Sequence, residues 1–226
     1  MLLFLNFSYI IIKSFGLDRS LWYIIGDADF CGYKIKVDER VLIPRPETED
    51  LVMLAVSMAK EGQKILDLCT GSGAIAIATA KELQKKNIRV EITASDISED
   101  ALTLAKENAE ANGAEVKFLQ SDLFARLDGE YDLVISNPPY IPTATVQTLQ
   151  REVRDFEPHL ALDGGEDGLD IYRRIAEQAQ THIRAGGSLL MEVGEGEAAD
   201  VAKLFPQKSM IAKDFNGVDR YVKITF

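Results

Sequence analysis

The 226-residue chain reads as an α/β protein, with a mostly parallel sheet covered by helices on both faces and finished by an antiparallel strand pair. Two observations predict this. Over residues 64–205, short apolar runs of strand length alternate with segments whose apolar residues recur at helical spacing, the pattern of linked βα units. Near the C-terminus, Asn216-Gly217 separates two further extended segments, a strong hairpin signal.

The elements follow in order. Alternating apolar residues around 30–37, with Gly32 between them, predict a β-hairpin, and Pro44 and Pro46 then break the chain before a helix that begins near Glu47. Leu51, Val52, Leu54, Ala55 and Met58 give that helix its apolar face, and Gly62 stops it. Residues 64–69 read as a buried strand and 72–83 as a helix. Next come a strand at 90–95 and a helix at 98–112 closed by Gly113. Strands at 116–120 and 131–136, a helix at 170–183, a strand at 187–193 and a helix at 197–205 continue the series. Residues 210–215 and 221–226 form the closing pair. In such sheets ligands bind at the carboxyl ends of the strands, so residues at those ends are the ones to examine for chemistry.

Composition narrows the partners. The length gives one well-buried core. With 36 acidic against 25 basic side chains the net charge is −11, which disfavours nucleic-acid phosphates and favours a protein or small-molecule substrate. Cys31 and Cys69, with only His159 and His182 beside them, offer neither a disulfide framework nor a zinc set, and a reducing cytoplasm is the expected location. The apolar start at residues 1–12 is too short to cross a bilayer and lacks the features of a signal peptide. It is expected as packing surface or an unusual terminus, with no membrane role.

The loop Asp67-Leu68-Cys69-Thr70-Gly71-Ser72-Gly73 lies between the first core strand and its helix, where glycines allow close backbone approach and the helix N-terminus attracts an anionic group. From Gly71 onward it also satisfies the G-x-G-x-x-A dinucleotide fingerprint, so a nicotinamide enzyme competes. Asp67 argues the other way. A carboxylate at the loop entrance repels a pyrophosphate but suits the ammonium and sulfonium of S-adenosylmethionine. Asp96, ending the next strand, is placed to accept from ribose hydroxyls, although Asp96 and Ser98 equally suit helix capping. Asp122 is expected at the end of the third strand to accept from an adenine amino group, with Leu123 covering the ring.

The run Asn137-Pro138-Pro139-Tyr140 directly follows the strand 131–136. Two prolines fix φ and donate no N–H, leaving a strand-end loop rich in acceptors beside one amide and one aromatic ring. Such a loop suits a planar NH2 group, which can donate both hydrogens to the Asn137 oxygen and the Pro138 carbonyl while Tyr140 covers its face. N-P is also an ordinary turn dipeptide.

In combination these strings resemble the bacterial HemK/PrmC family of protein-glutamine methyltransferases, which act on a glutamine amide nitrogen in peptide chain release factors. The resemblance runs from about Trp22 onward. Beyond the two loops it rests on Phe30-Cys31-Gly32-Tyr33, on the string from Val37 to Glu49 with Arg45-Pro46-Glu47-Thr48-Glu49 as its most specific part, and on Phe156-Glu157-Pro158. The stretch from Ala161 to Asp170 and the closing hairpin from Asp214 to Tyr221 complete it. It implies a class I S-adenosylmethionine-dependent fold, Rossmann-like, with seven strands. The division it implies is a remnant of an N-terminal helical region at 1–25, a β-hairpin linker at 26–46 and a catalytic domain at 47–226. Cofactor contacts carried over by position are Asp67, Cys69, Thr70, Gly71, Ser72, Gly73, Asp96, Asp122, Leu123 and Asn137, and Asn137, Pro138, Pro139 and Tyr140 hold the substrate amide.

Two departures stand out. Cys69 replaces a frequent glycine, which a negative φ at that position would accommodate, and only about two dozen residues precede the match where the family has a helical recognition domain. The Asn-Pro-Pro-Tyr loop also serves adenine and guanine amino methylation, and ribosomal-protein glutamine methyltransferases share much of the pattern. Those activities, a nucleotide-binding oxidoreductase and a non-catalytic binding module are the competing readings. The favoured mechanism needs no general base, because an amide nitrogen becomes strongly acidic once methylated. His159 is expected to be structural, and Glu192 and Glu195 to lie near the pocket or in capping roles.

Overall fold

The computed structural model describes residues 20–226, and the expectation for residues 1–12 lies outside them. A short helix α1 (Leu21–Ile25) leads into a hairpin of β1 (Asp27–Phe30) and β2 (Tyr33–Lys36). Cys31 and Gly32 both take positive φ at its tip, the backbone that lets a two-residue turn follow the strand twist. After an extended stretch, α2 (Pro46–Met58) begins with proline at its first position, where the missing N–H has no partner to lose.

The βα series runs through β3 (Lys64–Leu68), α3 (Ala74–Lys85), β4 (Glu91–Asp96), α4 (Glu99–Asn112), β5 (Lys117–Gln120) and β6 (Tyr131–Ser136). It continues through two single-turn helices, α5 (Thr143–Val146) and α6 (Arg151–Arg154), then α7 (Asp170–Ala179), β7 (Ile183–Glu192), α8 (Ala198–Lys203), β8 (Lys208–Lys213) and β9 (Asp219–Thr225). Seven strands form one sheet in the order β5-β4-β3-β6-β7-β9-β8, parallel except for β9, which runs antiparallel to both β7 and β8. This is the mixed α/β sheet that the alternation predicts.

Successive side chains of the central strands feed opposite layers. Ile65 joins an apolar cluster with Phe30, Ile35, Leu51, Ile77 and Leu104, whereas Leu66 joins one with Tyr172, Ile175 and Val201 on the other face. The β1–β2 hairpin is tied to the first layer by polar contacts as well. Asn108 of α4, fully buried, accepts from the Lys36 N–H at 2.8 Å and donates to the Lys36 and Ser72 carbonyls.

Some boundaries differ from those read off the sequence. The helix expected at 72–83 starts at Ala74, because Gly73 at φ 82° is still in the loop. The helix expected to reach residue 183 ends at Ala179, where the Thr181 hydroxyl and the His182 ring both bond the Gln178 carbonyl. That frees Ile183 to start a ten-residue strand. At the closing hairpin the strands lie about two residues earlier than expected, at 208–213 and 219–225, because the Asp214 carboxylate organises the turn by accepting from the Asn216 and Val218 N–H groups.

Candidate functional site

The chain lays strands β3, β4 and β5 outward in one direction and then returns to place β6 on the other side of β3, so β3 and β6 form the switch point of the sheet. Leu68 and Ser136 are register partners there, and the Ser136 hydroxyl donates to the Leu68 carbonyl at 2.7 Å. The loops after these two strands, 69–73 and 137–140, therefore leave the sheet side by side. A cleft opens above them, lined also by the lead-in to α2, the ends of β4 and β5, and the segments near Leu160 and Ile171.

The floor of the cleft is the glycine loop. Thr70 N–H donates to the Ser95 carbonyl and Gly71 N–H to Asp96 Oδ2 at 2.8 Å, which ties the loop to the end of β4. Asp96 Oδ1 accepts from Ser98 N–H at 2.9 Å, while Ser98 itself caps α4. Each carboxylate oxygen carries a second lone pair, so Asp96 retains two acceptor sites for hydroxyls while holding the loop. Burial pushes its carboxyl above the usual range.

Asp122 follows β5 at the cleft wall and accepts from Arg174 at 2.8 Å through Oδ2, leaving Oδ1 for a further donor. Leu123, at φ 47°, is buried and lines the cleft, as does the half-exposed Ile97 after β4. Two apolar walls flanked by carboxylates, above glycines that open to the cleft, fit an adenosine-like group. Gly71, at φ 53°, has nothing within 4 Å of where a Cβ would stand, which leaves space above the loop.

Two expectations are corrected. Cys69 takes φ 63°, not a negative angle, so a non-glycine residue occupies the left-handed region here, at a cost of about 1–2 kcal/mol in local strain. Among the described residues four non-glycine residues have positive φ, and two of them, Cys69 and Leu123, line this cleft, as strained positions do at functional loops. Asp67 does not stand at the loop entrance. It is buried beneath the loop, where Oδ2 accepts from the Thr70 hydroxyl and from Ala76 N–H at 3.0 Å, and it is not part of the cleft lining. Burial raises its carboxyl to about 7.

The structure brings Cys69, Thr70, Gly71, Ser72, Asp96, Asp122, Leu123, Asn137 and Pro139 onto one cleft. Gly73, Pro138 and Tyr140 adjoin these residues in sequence but are not among those that line it. Gly73 packs against α4, where a Cβ would stand 3.1 Å from that of Ala105. Tyr140 packs on the second core layer, and its backbone is gripped by the loop 163–168, since a Cβ at Gly164 would lie 2.7 Å from the Tyr140 Cα and one at Gly168 would clash with its carbonyl oxygen. His159 stands exposed outside the lining.

Residues without an assigned role in the sequence reading also converge. Thr48 of α2 accepts from Asn137 Nδ2 at 3.3 Å and donates to Glu192 Oε2 at 2.8 Å. Arg45 pairs with buried Glu157 at 2.7 Å, and Glu157 also accepts from Ile43 N–H, which docks the Ile43-to-Glu49 string on the Phe156-Glu157-Pro158 segment. Both strings were visible as sequence; that they meet was not.

A family model described as the methyltransferase small domain matches residues 50–166. The release factor glutamine methyltransferase of Lactococcus lactis is 43% identical over 208 residues, covering 89% of this chain and 76% of that protein. The one from Streptococcus pneumoniae is 45% identical over 220 residues, covering 95% and 77%. The chain belongs to the release factor glutamine methyltransferase family. A methyltransferase from Pyrococcus furiosus shares the fold, with a TM-score of 0.61 over 97% of this chain and 98% of that one at 17% identity. Among the described residues no helix is long and apolar enough to cross a membrane.

Proposed function

We propose that this chain transfers a methyl group from S-adenosylmethionine to the side-chain amide nitrogen of a glutamine in a peptide chain release factor, in the cytoplasm, with residues 47–226 as the catalytic domain and the 26–46 hairpin as its linker. The observation that carries the reading is the junction at the switch point, where Asn137 sits beside the glycine loop and its Nδ2 is already engaged by Thr48, so that Oδ1 is left as an acceptor. S-adenosylmethionine, when bound, supplies an electrophilic methyl group on a sulfonium.

The chain's residues do the rest by binding and orientation. Asp96 accepts from the ribose hydroxyls, Asp122 from the adenine amino group, and N–H groups of the loop and the α3 start other than those of Thr70, Gly71, Gly73 and Ala76, which are bonded within the chain, meet the carboxylate. Ile97 and Leu123 cover the ring. Asn137 Oδ1 and the Pro138 carbonyl accept both hydrogens of the substrate amide. That restrains the amide nitrogen in line for attack and pushes electron density toward it, so positioning and electrostatics carry the catalysis. Tyr140 and Pro139 shape the slot, and the proton leaves after transfer. Buried Asp67 acts from below, holding Thr70 and the first turn of α3, and does not contact the ligand.

Incubation of the purified chain with release factor and S-adenosylmethionine, followed by peptide mass spectrometry, tests this. The expected result is a gain of one methyl group on a single glutamine. Methylation of RNA or ribosomal protein with the release factor unmodified would overturn the substrate assignment.

A further inference from the structure

The string Arg45-Pro46-Glu47-Thr48-Glu49 is the most specific in the chain, yet a helix start needs none of its polar side chains. Thr48 is 4% exposed, and its one hydroxyl hydrogen goes to Glu192 Oε2. A hydroxyl has a single hydrogen, so toward Asn137 Thr48 can only accept, which forces the asparagine amide to present Nδ2 to it. The planar amide then turns Oδ1 to the other side, where it accepts no hydrogen bond from the described residues.

The support beneath this pair is rigid. Glu192 ends β7 and is 1% exposed, and its carbonyl accepts from the buried Tyr172 hydroxyl at 2.8 Å. Its register partner on β9, Tyr221, donates to the Glu47 carbonyl at 2.6 Å and so fixes the first turn of α2. The ends of β7 and β9 hold α2, and α2 holds Asn137.

We propose that Thr48 is a positioning residue that sets the amide orientation of Asn137, with Glu192 as the acceptor that fixes the direction of the Thr48 hydroxyl. The inference rests on the proposed amide-methylating reading for its catalytic consequence, but the orientation itself is a property of the unliganded chain. Without the hydroxyl, the Asn137 amide loses the contact that distinguishes its oxygen from its nitrogen. It then presents NH2 to the substrate amide in part of the molecules.

The test compares Thr48→Val, which keeps the shape, with Thr48→Ser, which keeps the hydroxyl. Thr48→Val is expected to lower kcat on release factor by roughly tenfold to a hundredfold, with affinity for S-adenosylhomocysteine close to wild type and a melting temperature lowered by roughly a few degrees as the buried Glu192 loses its donor, and Thr48→Ser to stay within about threefold of wild-type kcat. In 1H–15N spectra of the S-adenosylhomocysteine complex, the Asn137 side-chain NH2 pair, assigned by its loss in Asn137→Asp, shifts in Thr48→Val and holds in Thr48→Ser. Wild-type kcat and an unmoved NH2 pair in Thr48→Val would overturn the inference, as would equal losses in kcat and cofactor affinity. Should the wild-type chain methylate no release factor, the proposed function fails and the NH2 signal alone decides the orientation role.

Discussion

Asp67 anchors the glycine loop from below, one carboxylate oxygen joining the Thr70 hydroxyl to the first turn of α3. Its position in the loop string is legible, but nothing in sequence spacing says whether a carboxylate at a strand end points into a cleft or under the loop. Here burial decides: Asp67 is 1% exposed and serves Thr70 and Ala76. Its carboxyl rises from the ordinary 3.8 to about 7, chiefly through burial, with Thr70 and Ala76 pulling it down and Asp96 adding a smaller push upward. Between those values the folded chain holds a proton that the unfolded chain has released, so stability falls as pH rises through that window and levels off above about 7. Asp67→Asn removes the titration and keeps the contacts. Urea denaturation of the unliganded protein at about pH 5 and about pH 8 should show wild type losing more stability than Asp67→Asn. Glu192, also raised to about 7 by burial, titrates alike in both and cancels. Equal losses would contradict the assignment. The same limit applies to Cys69, whose positive φ follows from the path of the loop and not from the residue type.

At the scale of elements, periodicity located every strand of the main sheet and the long helices, because each buries an apolar face that recurs along the sequence. It missed α5 and α6, since four residues make barely one turn and leave no repeat to detect. The region between β6 and α7, whose helices periodicity did not reveal, holds the support for the loop at 137–140. Ile141 N–H donates to the Leu162 carbonyl and Gly164 N–H to the Ile141 carbonyl, both at 2.9 Å, a parallel bridge that clamps the backbone just after Tyr140. Gly164 and Gly168 allow that approach, which explains the glycines in the stretch from Ala161 to Asp170. In Gly164→Ala the new Cβ would meet backbone at 2.7 Å on two sides, from Gly168 and from Tyr140. Neither atom is the end of a flexible side chain, so the strand end must move. The expected loss is about 1–3 kcal/mol of stability with a fall in kcat larger than the change in cofactor affinity. Denaturation together with steady-state kinetics checks it, and wild-type behaviour in both would show that the clamp is dispensable.

Over the whole molecule, the alternation of βα units gave a parallel sheet with an antiparallel finish, and the rule that ligands bind at strand carboxyl ends put the glycine loop, Asp96 and Asn137 on one rim. The alternation contains no strand order. That β6 returns beside β3, placing residues 69–73 against 137–140, is settled by packing between residues far apart in sequence. For the same reason the meeting of Thr48, Asn137 and Glu192, drawn from α2, the β6 end and the β7 end, was not legible, although each lay in or beside a segment already marked. The net charge of −11 bears on the cleft too: among the described residues Arg40, Arg45 and Arg174 line it, and each is paired with a carboxylate.

The proposed methyl transfer depends on Asn137 as the acceptor for the substrate amide. Radiolabelled methyl transfer to release factor by Asn137→Ala, run beside calorimetric titration of S-adenosylhomocysteine, measures this directly. Turnover is expected to fall by roughly a hundredfold or more while cofactor affinity drops only modestly. Wild-type turnover by a variant that still binds cofactor would contradict the acceptor role of Asn137.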